Sequence, residues 1–167
     1  MSKISVLMSV YKKENPEYLR ASLESILVQT RTADEILLIE DGPLTQELYQ
    51  VVAEYQKKCD YLHVHAMEQN VQLGRALAKG VELCQYDLIA RMDTDDIAMP
   101  DRLEKEEAYM EAHPEVDVVG GAIREFNDEG TIDRVKNMPK TQEEILEYVK
   151  VRNPLNHMTC LLYTSDA

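Results

Sequence analysis

Leu88-Ile89-Ala90-Arg91-Met92-Asp93-Thr94-Asp95-Asp96 decides the fold, because a short apolar run passes into three carboxylates within four residues. Asp87 to Ala90 reads as a buried strand, and the charges then fall at its carboxyl end. The same grammar recurs upstream. Ile4 to Val10 is an apolar strand ending at Ser9 and Tyr11, and Glu35 to Ile39 is another ending at Glu40-Asp41-Gly42-Pro43. Tyr61 to Ala66 alternates weakly as a further strand, and Val116 to Ile123 follows as a fifth.

Amphipathic segments separate these runs. Glu17 to Gln29 carries Leu19, Leu23, Ile26 and Leu27 on one helical stripe, and Asn15-Pro16 suits its start. Leu48, Val51, Val52 and Tyr55 mark a second helix, and Gly74 to Cys84 a third. Pro100 opens a fourth, which His113-Pro114 ends after Ala112. Asn127-Asp128-Glu129-Gly130 reads as a hairpin turn, and Gln142 to Val151 as the last helix. Repeated strand–helix–strand units predict an α/β fold with a mostly parallel sheet between helical layers. Such sheets bind ligands at the carboxyl ends of their strands, where three separate polar clusters fall here.

The 167 residues suit one domain with its own core. With 44% hydrophobic and 29% charged residues the composition is that of a globular protein. A formal charge of -13 excludes a nucleic-acid footprint, which needs clustered Lys and Arg, and disfavours an anionic membrane surface. An anionic substrate can still bind through a divalent cation. Cys59, Cys84 and Cys160 lack metal-site spacing and read as reduced thiols. No stretch is long enough to cross a bilayer, so the expected location is cytoplasmic, with peripheral attachment at the inner membrane face as the variant.

Carboxylates about 4 Å apart repel by roughly 4 kcal/mol at an effective dielectric near 20. Mg²⁺ or Mn²⁺, which favours carboxylate oxygens shared with substrate phosphates, relieves that repulsion. Helix capping by Asp95 or Asp96 is the rival reading, worth about 1 kcal/mol. A cap uses one acid and leaves two unexplained. Asp41-Gly42 taken alone is a common turn pair; its carboxylate is also a candidate acceptor for a nucleotide base or ribose. Within Asn70 to Gly80 small residues are spaced for close packing, Gly74 lets a backbone approach a ligand, and Arg75 either pairs with phosphate or faces water. His157, after Asn153-Pro154-Leu155-Asn156, decides nothing by itself.

Together these segments resemble glycosyltransferase family 2, which has the GT-A fold. Ser5 to Tyr11 is similar to the family's first strand, Ser22 to Thr30 to its first-helix signature, and Glu35 to Gly42 to its second strand. Asn70, Gly74 and Ala78 fit the segment before the metal site. Asp93-Thr94-Asp95-Asp96, followed by Pro100-Asp101-Arg102-Leu103, resembles the extended DXD motif, and Asn153 to Thr159 resembles the later Asn-Pro and His-x-Thr segment. Glu40, Pro43 and Lys12 depart from the commoner Asp, Ser and Asn.

The resemblance implies a Rossmann-like three-layer α/β/α domain and inverting transfer of a sugar from a nucleoside diphosphate to a hydroxyl, in cell-surface polysaccharide or glycan assembly. It implies nucleotide-sugar contacts at Ser9, Tyr11, Asp41, Arg75, Asp93, Asp95 and His157. It also implies an Mn²⁺ or Mg²⁺ cofactor on Asp95 and Asp96, a UDP-sugar ahead of other donors, and a glycan or lipid-linked acceptor. Family members continue well beyond this length into the half that holds the general base. The domain over 1–159 is therefore expected to be C-terminally incomplete and inactive in transfer. Cys160 to Ala167 matches in frame the translation of a sequencing-library transposase adapter and is expected to be a non-native tail, an apolar strand at 160–163 being the alternative. A sugar nucleotidyltransferase would want a Gly-rich loop after the first strand, where Val10-Tyr11-Lys12-Lys13-Glu14 has none. A phosphoryl-receiver domain would want an acidic pair there. A nucleotide-binding remnant without turnover is the remaining alternative.

Overall fold

The computed structural model of the chain describes residues 2–127 and 132–164. Strand β1 (Ile4–Val10) buries Ile4, Val6, Met8 and Val10 on one face and Leu7 on the other, as period-2 alternation requires. Helix α1 (Pro16–Leu27) starts where Asn15 accepts the Glu17 N–H (2.9 Å) ahead of Pro16. Strand β2 (Glu35–Glu40), helix α2 (Gln46–Lys58, capped by Thr45) and strand β3 (Leu62–Ala66) follow. Helix α3 (Leu73–Leu83) then leads to strand β4 (Leu88–Arg91).

Four parallel strands run in the order β3-β2-β1-β4. The chain builds outward from β1 through β2 to β3 and then returns to β1's other side. The reversal opens a crevice at the carboxyl ends of β1 and β4. Helices α1, α2 and α4 (Arg102–Ala112) cover one face through Leu19, Leu23, Leu48, Val52, Leu103 and Met110. On the other face α3 packs Ala76 against Leu7, Leu37, Ile39 and Ile89. The result is the three-layer α/β/α arrangement with a mostly parallel sheet that the sequence predicts.

The expected strand over 116–123 is divided. Val118–Val119 forms β5 and Ile123–Phe126 forms β6. Between them the Gly121 N–H bonds to Thr159 Oγ1 (2.8 Å) and its carbonyl accepts from Asn156 Nδ2 (3.1 Å), so side chains take the place of ladder partners. β6 pairs antiparallel with β7 (Asp133–Lys136) as a hairpin; residues 128–130 of its expected turn lie outside the described residues. Helix α4 starts two residues after Pro100, whose carbonyl is used by the Thr30 N–H (2.8 Å). Helix α5 (Gln142–Tyr148) opens with a Thr141/Glu144 capping box, ends before the expected Val151, and buries none of its residues.

Leu161–Tyr163, in the expected foreign tail, forms β8, antiparallel between β4 and β5, with Leu161 fully buried. This is the apolar strand that the sequence offers as the alternative for 160–163. Residues 165–167 lie outside the described residues.

Close packing of α3 rests on a glycine. A Cβ on Gly80 would meet Leu7 Cδ1 at 2.3 Å and Ile39 Cγ1 at 3.2 Å, in a buried layer, whereas one on Gly74 would meet nothing within 4 Å. Overpacking costs about 1–3 kcal/mol, against roughly 1 kcal/mol of helix propensity gained. Gly80→Ala is expected to lower the thermal unfolding midpoint and Gly74→Ala to leave it equal or higher. Opposite results in a melting experiment would show that α3 does not sit on Leu7 through Gly80.

Candidate functional site

A cavity of about 440 Å³ opens at the carboxyl ends of β1, β2 and β4. Ser9 lines it from near the end of strand β1, Tyr11 and Glu14 from the β1–α1 connection, and Asp41 from just past the end of β2. Asn70, Gln72 and Leu73 contribute from the entry to α3, Asp93, Thr94 and Asp95 from the loop after β4, and His157 from a short 3₁₀ turn, His157–Thr159.

Asp41 is 4% exposed and already bonded. Its Oδ1 accepts the Val71 N–H (2.7 Å) and its Oδ2 the Asn70 amide (2.9 Å), so the carboxylate ties the loop before α3 to the end of β2. Gly42, at φ +83°, completes the seat, because a Cβ there would meet Asn70 N at 2.5 Å. A carboxylate offers about four lone-pair sites, and these two bonds occupy half of them.

The acidic loop is anchored from three sides. Ser22 Oγ on α1 donates to the Asp93 carbonyl (2.8 Å), and Thr94 Oγ1 donates to Glu14 Oε2 (2.7 Å). The buried Arg91 guanidinium pairs with Asp93 Oδ1, while His157 Nε2 lies 3.9 Å from Oδ2. One oxygen from each of Asp93, Asp95 and Asp96 falls within 4.8 Å of the others. Burial first, and then the charges of Asp93 and Asp95, push the Asp96 carboxyl above its ordinary range. Clustered hard oxygen donors, one of them reluctant to ionise, fit a divalent cation. The capping alternative fails on geometry: α4 begins at Arg102, its N-cap is Asp101, and neither Asp95 nor Asp96 adjoins it.

Of the residues expected from sequence, Ser9, Tyr11, Asp41, Asp93, Asp95 and His157 share this cavity. Asp96 joins the carboxylate cluster but faces a second cavity of about 820 Å³ beside Met99, Phe126 and Thr159. Arg75 is exposed on the first turn of α3 and does not line the cavity. Glu14, Asn70, Gln72, Leu73 and Thr94 also line the cavity and are not among the contacts read from sequence. Glu14 had a signal, lying one residue before the Asn15 cap and so at the mouth of the first strand; Gln72 had none without its backbone angle.

The sequence model described as glycosyl transferase family 2 matches residues 5–166. An uncharacterized glycosyltransferase of Haemophilus influenzae is 48% identical over 158 residues, 94% of this chain and 59% of that protein. The amylovoran biosynthesis glycosyltransferase AmsE of Erwinia amylovora is 43% identical over 162 residues, 97% of this chain and 60% of that protein. Among solved structures, S. aureus TarS 1-349 in complex with UDP-GlcNAc superposes with a TM-score of 0.67 at 22% identity, over 83% of this chain and 37% of that one. This chain therefore spans about 60% of the length of the curated relatives.

Metal ligands must be deprotonated, so protons compete with the cation. Because burial and the charges of Asp93 and Asp95 make Asp96 take up its proton at higher pH than an ordinary aspartate, Mn²⁺ affinity should fall on acidification, starting above the pH at which an ordinary aspartate protonates. Asp96→Asn should weaken binding and flatten that slope. Calorimetric titration with Mn²⁺ at successively lower pH is the check, and a variant keeping the parent slope would remove Asp96 from the cation site.

Proposed function

Because the chain belongs to glycosyltransferase family 2, we propose that the complete protein transfers a sugar from a nucleoside-diphosphate donor to a hydroxyl of a glycan or lipid-linked acceptor. The supporting observation is the convergence of Asp41, the Ser9/Tyr11 segment and the three-carboxylate cluster around one crevice. Asp41 and its Asn70 partner lie at the β2 end and suit a base or ribose. The acidic loop lies at the β4 end and suits the diphosphate. TarS, a structural relative, is known in complex with UDP-GlcNAc, which supports a nucleoside-diphosphate sugar as the ligand, and UDP is the nucleotide we test first. AmsE, named for amylovoran biosynthesis, supports polysaccharide biosynthesis as the setting. No helix among the described residues is long and apolar enough to cross a membrane.

We assign inverting chemistry to the complete protein. Asp95 and Asp96 would hold Mn²⁺ or Mg²⁺, with Asp93 oriented by Arg91 toward the ribose or the same ion. Bound there, the cation supplies Lewis-acid neutralisation of a leaving diphosphate. Asp41 holds the nucleoside end of the donor, and His157, beside Asp93, reaches the sugar end. We place the general base in the part of the relatives that this chain does not span.

Two measurements test this reading. UDP should bind the chain in the presence of Mn²⁺ and bind far more weakly under chelation, with GDP as the comparison; equal affinity in both conditions would refute the cation assignment. Asp41→Ala should cost about 1.5–3 kcal/mol of UDP affinity, the range for a hydrogen bond to a charged group, in a variant whose circular dichroism shows it folded. Donor turnover is expected only from a chain extended to the relatives' full length. Turnover by residues 1–167 alone would place the base within them.

A further inference from the structure

Among the described residues Gln72 is the one non-glycine residue with positive φ, at φ 72° and ψ 153°. That combination belongs essentially to glycine, and it persists elsewhere only where the surroundings enforce it. Here they do. On one side Val71 N–H and the Asn70 amide are fixed on the Asp41 carboxylate. On the other, the Gln72 carbonyl accepts from Arg75 N and Ala76 N (both 3.1 Å) to start α3. Glycine would meet this backbone requirement without a steric penalty. The chain instead keeps a long carboxamide that lines the 440 Å³ cavity and makes no hydrogen bond among the described residues.

We propose that Gln72 is a specificity residue of the cavity, its carboxamide hydrogen-bonding the nucleoside part of a nucleoside diphosphate. The inference rests on the nucleotide reading above. A carboxamide carries one acceptor oxygen and two N–H donors without charge, which matches base edges and ribose hydroxyls. Diphosphate oxygens would call for a cation or an Arg fork. Position argues the same way. Gln72 follows directly on the Asn70–Val71 pair bound to Asp41 at the β2 end, and the acidic cluster belongs to the β4 end. The strained backbone is thus the condition for presenting this side chain to the ligand.

Gln72→Gly and Gln72→Ala separate the side chain from the backbone. By calorimetry with Mn²⁺, both should bind UDP about 3- to 10-fold more weakly, the range for one net hydrogen bond, while pyrophosphate binds as to the parent. In thermal melts Gln72→Gly should gain about 2–4 °C from relieved strain, and Gln72→Ala should not. A merely structural Gln72 would give the melting shift without the affinity loss. Unchanged UDP affinity in Gln72→Ala overturns the proposal, and so do equal losses for UDP and pyrophosphate. A parent chain that binds neither UDP nor GDP overturns the nucleotide reading and this proposal together.

Discussion

Mutual repulsion among Asp93, Asp95 and Asp96 is the constraint around which the site is built. Carboxyl oxygens held within 4.8 Å of one another would drive a free loop apart, since each close pair costs several kcal/mol even at an effective dielectric near 20. The fold opposes this with groups from three different elements. Ser22 of α1 holds the Asp93 carbonyl, Glu14 of the β1–α1 connection holds the Thr94 hydroxyl, and Arg91 of β4 holds the Asp93 carboxylate. Arg91 acts by charge, with His157 beside it, and both draw on Asp96 as well as Asp93. The other two act on backbone and hydroxyl, and among the described residues neither Asp95 nor Asp96 has an ion pair of its own.

Those anchors depend in turn on the register of the sheet. β1 pairs with β4 so that Leu7 lies opposite Arg91 and the Met92 N–H reaches the Leu7 carbonyl (3.1 Å). β1 pairs with β2 so that Val10 lies opposite Glu40, and the Asp41 N–H reaches the Val10 carbonyl (2.8 Å). A one-residue slip in either pairing would turn every side chain to the opposite face and separate Asp41 from Asp93. The apolar alternation that buries Ile4, Val6 and Met8 therefore also fixes the width of the crevice. Core packing and ligand geometry are one specification.

This explains which parts could be read from the sequence. β1, α1, β2 and α2 announce themselves because strands buried on both faces are short apolar runs, as at Ile4 to Val10 and Glu35 to Ile39, and a helix buried on one side keeps a period of 3.6, as at Leu19, Leu23 and Ile26. Asp93 to Asp96 is legible because like charges in sequence need a reason. The 116–126 region is not legible, because its break depends on Asn156 and Thr159, some 35 residues away, bonding to Gly121. Arg75 is legible as a type and not as a direction: an arginine beside a glycine near a helix start suggests phosphate, and the structure sets it on the exposed first turn of α3, outside the cavity lining. Residue type gives chemistry, and only the helix phase gives direction.

Asp41 shows how two competing sequence readings can both be incomplete. As an Asp-Gly pair it is a turn, and Gly42 does adopt φ +83° with no room for a Cβ. As a carboxylate at a strand end it is a candidate ligand, and it does line the cavity. Neither reading includes its bonds to Asn70 and Val71, which fasten a loop from the far side of β3 over the end of β2. A buried carboxylate with two fixed donors is pre-organised, because its orientation is settled before any ligand arrives and its remaining lone pairs have defined directions. The same two bonds hold Asn70 and Val71 immediately before Gln72 and so help to enforce its unusual backbone. One side chain thus shapes the β2 end of the crevice twice, by its own acceptors and by the loop it restrains.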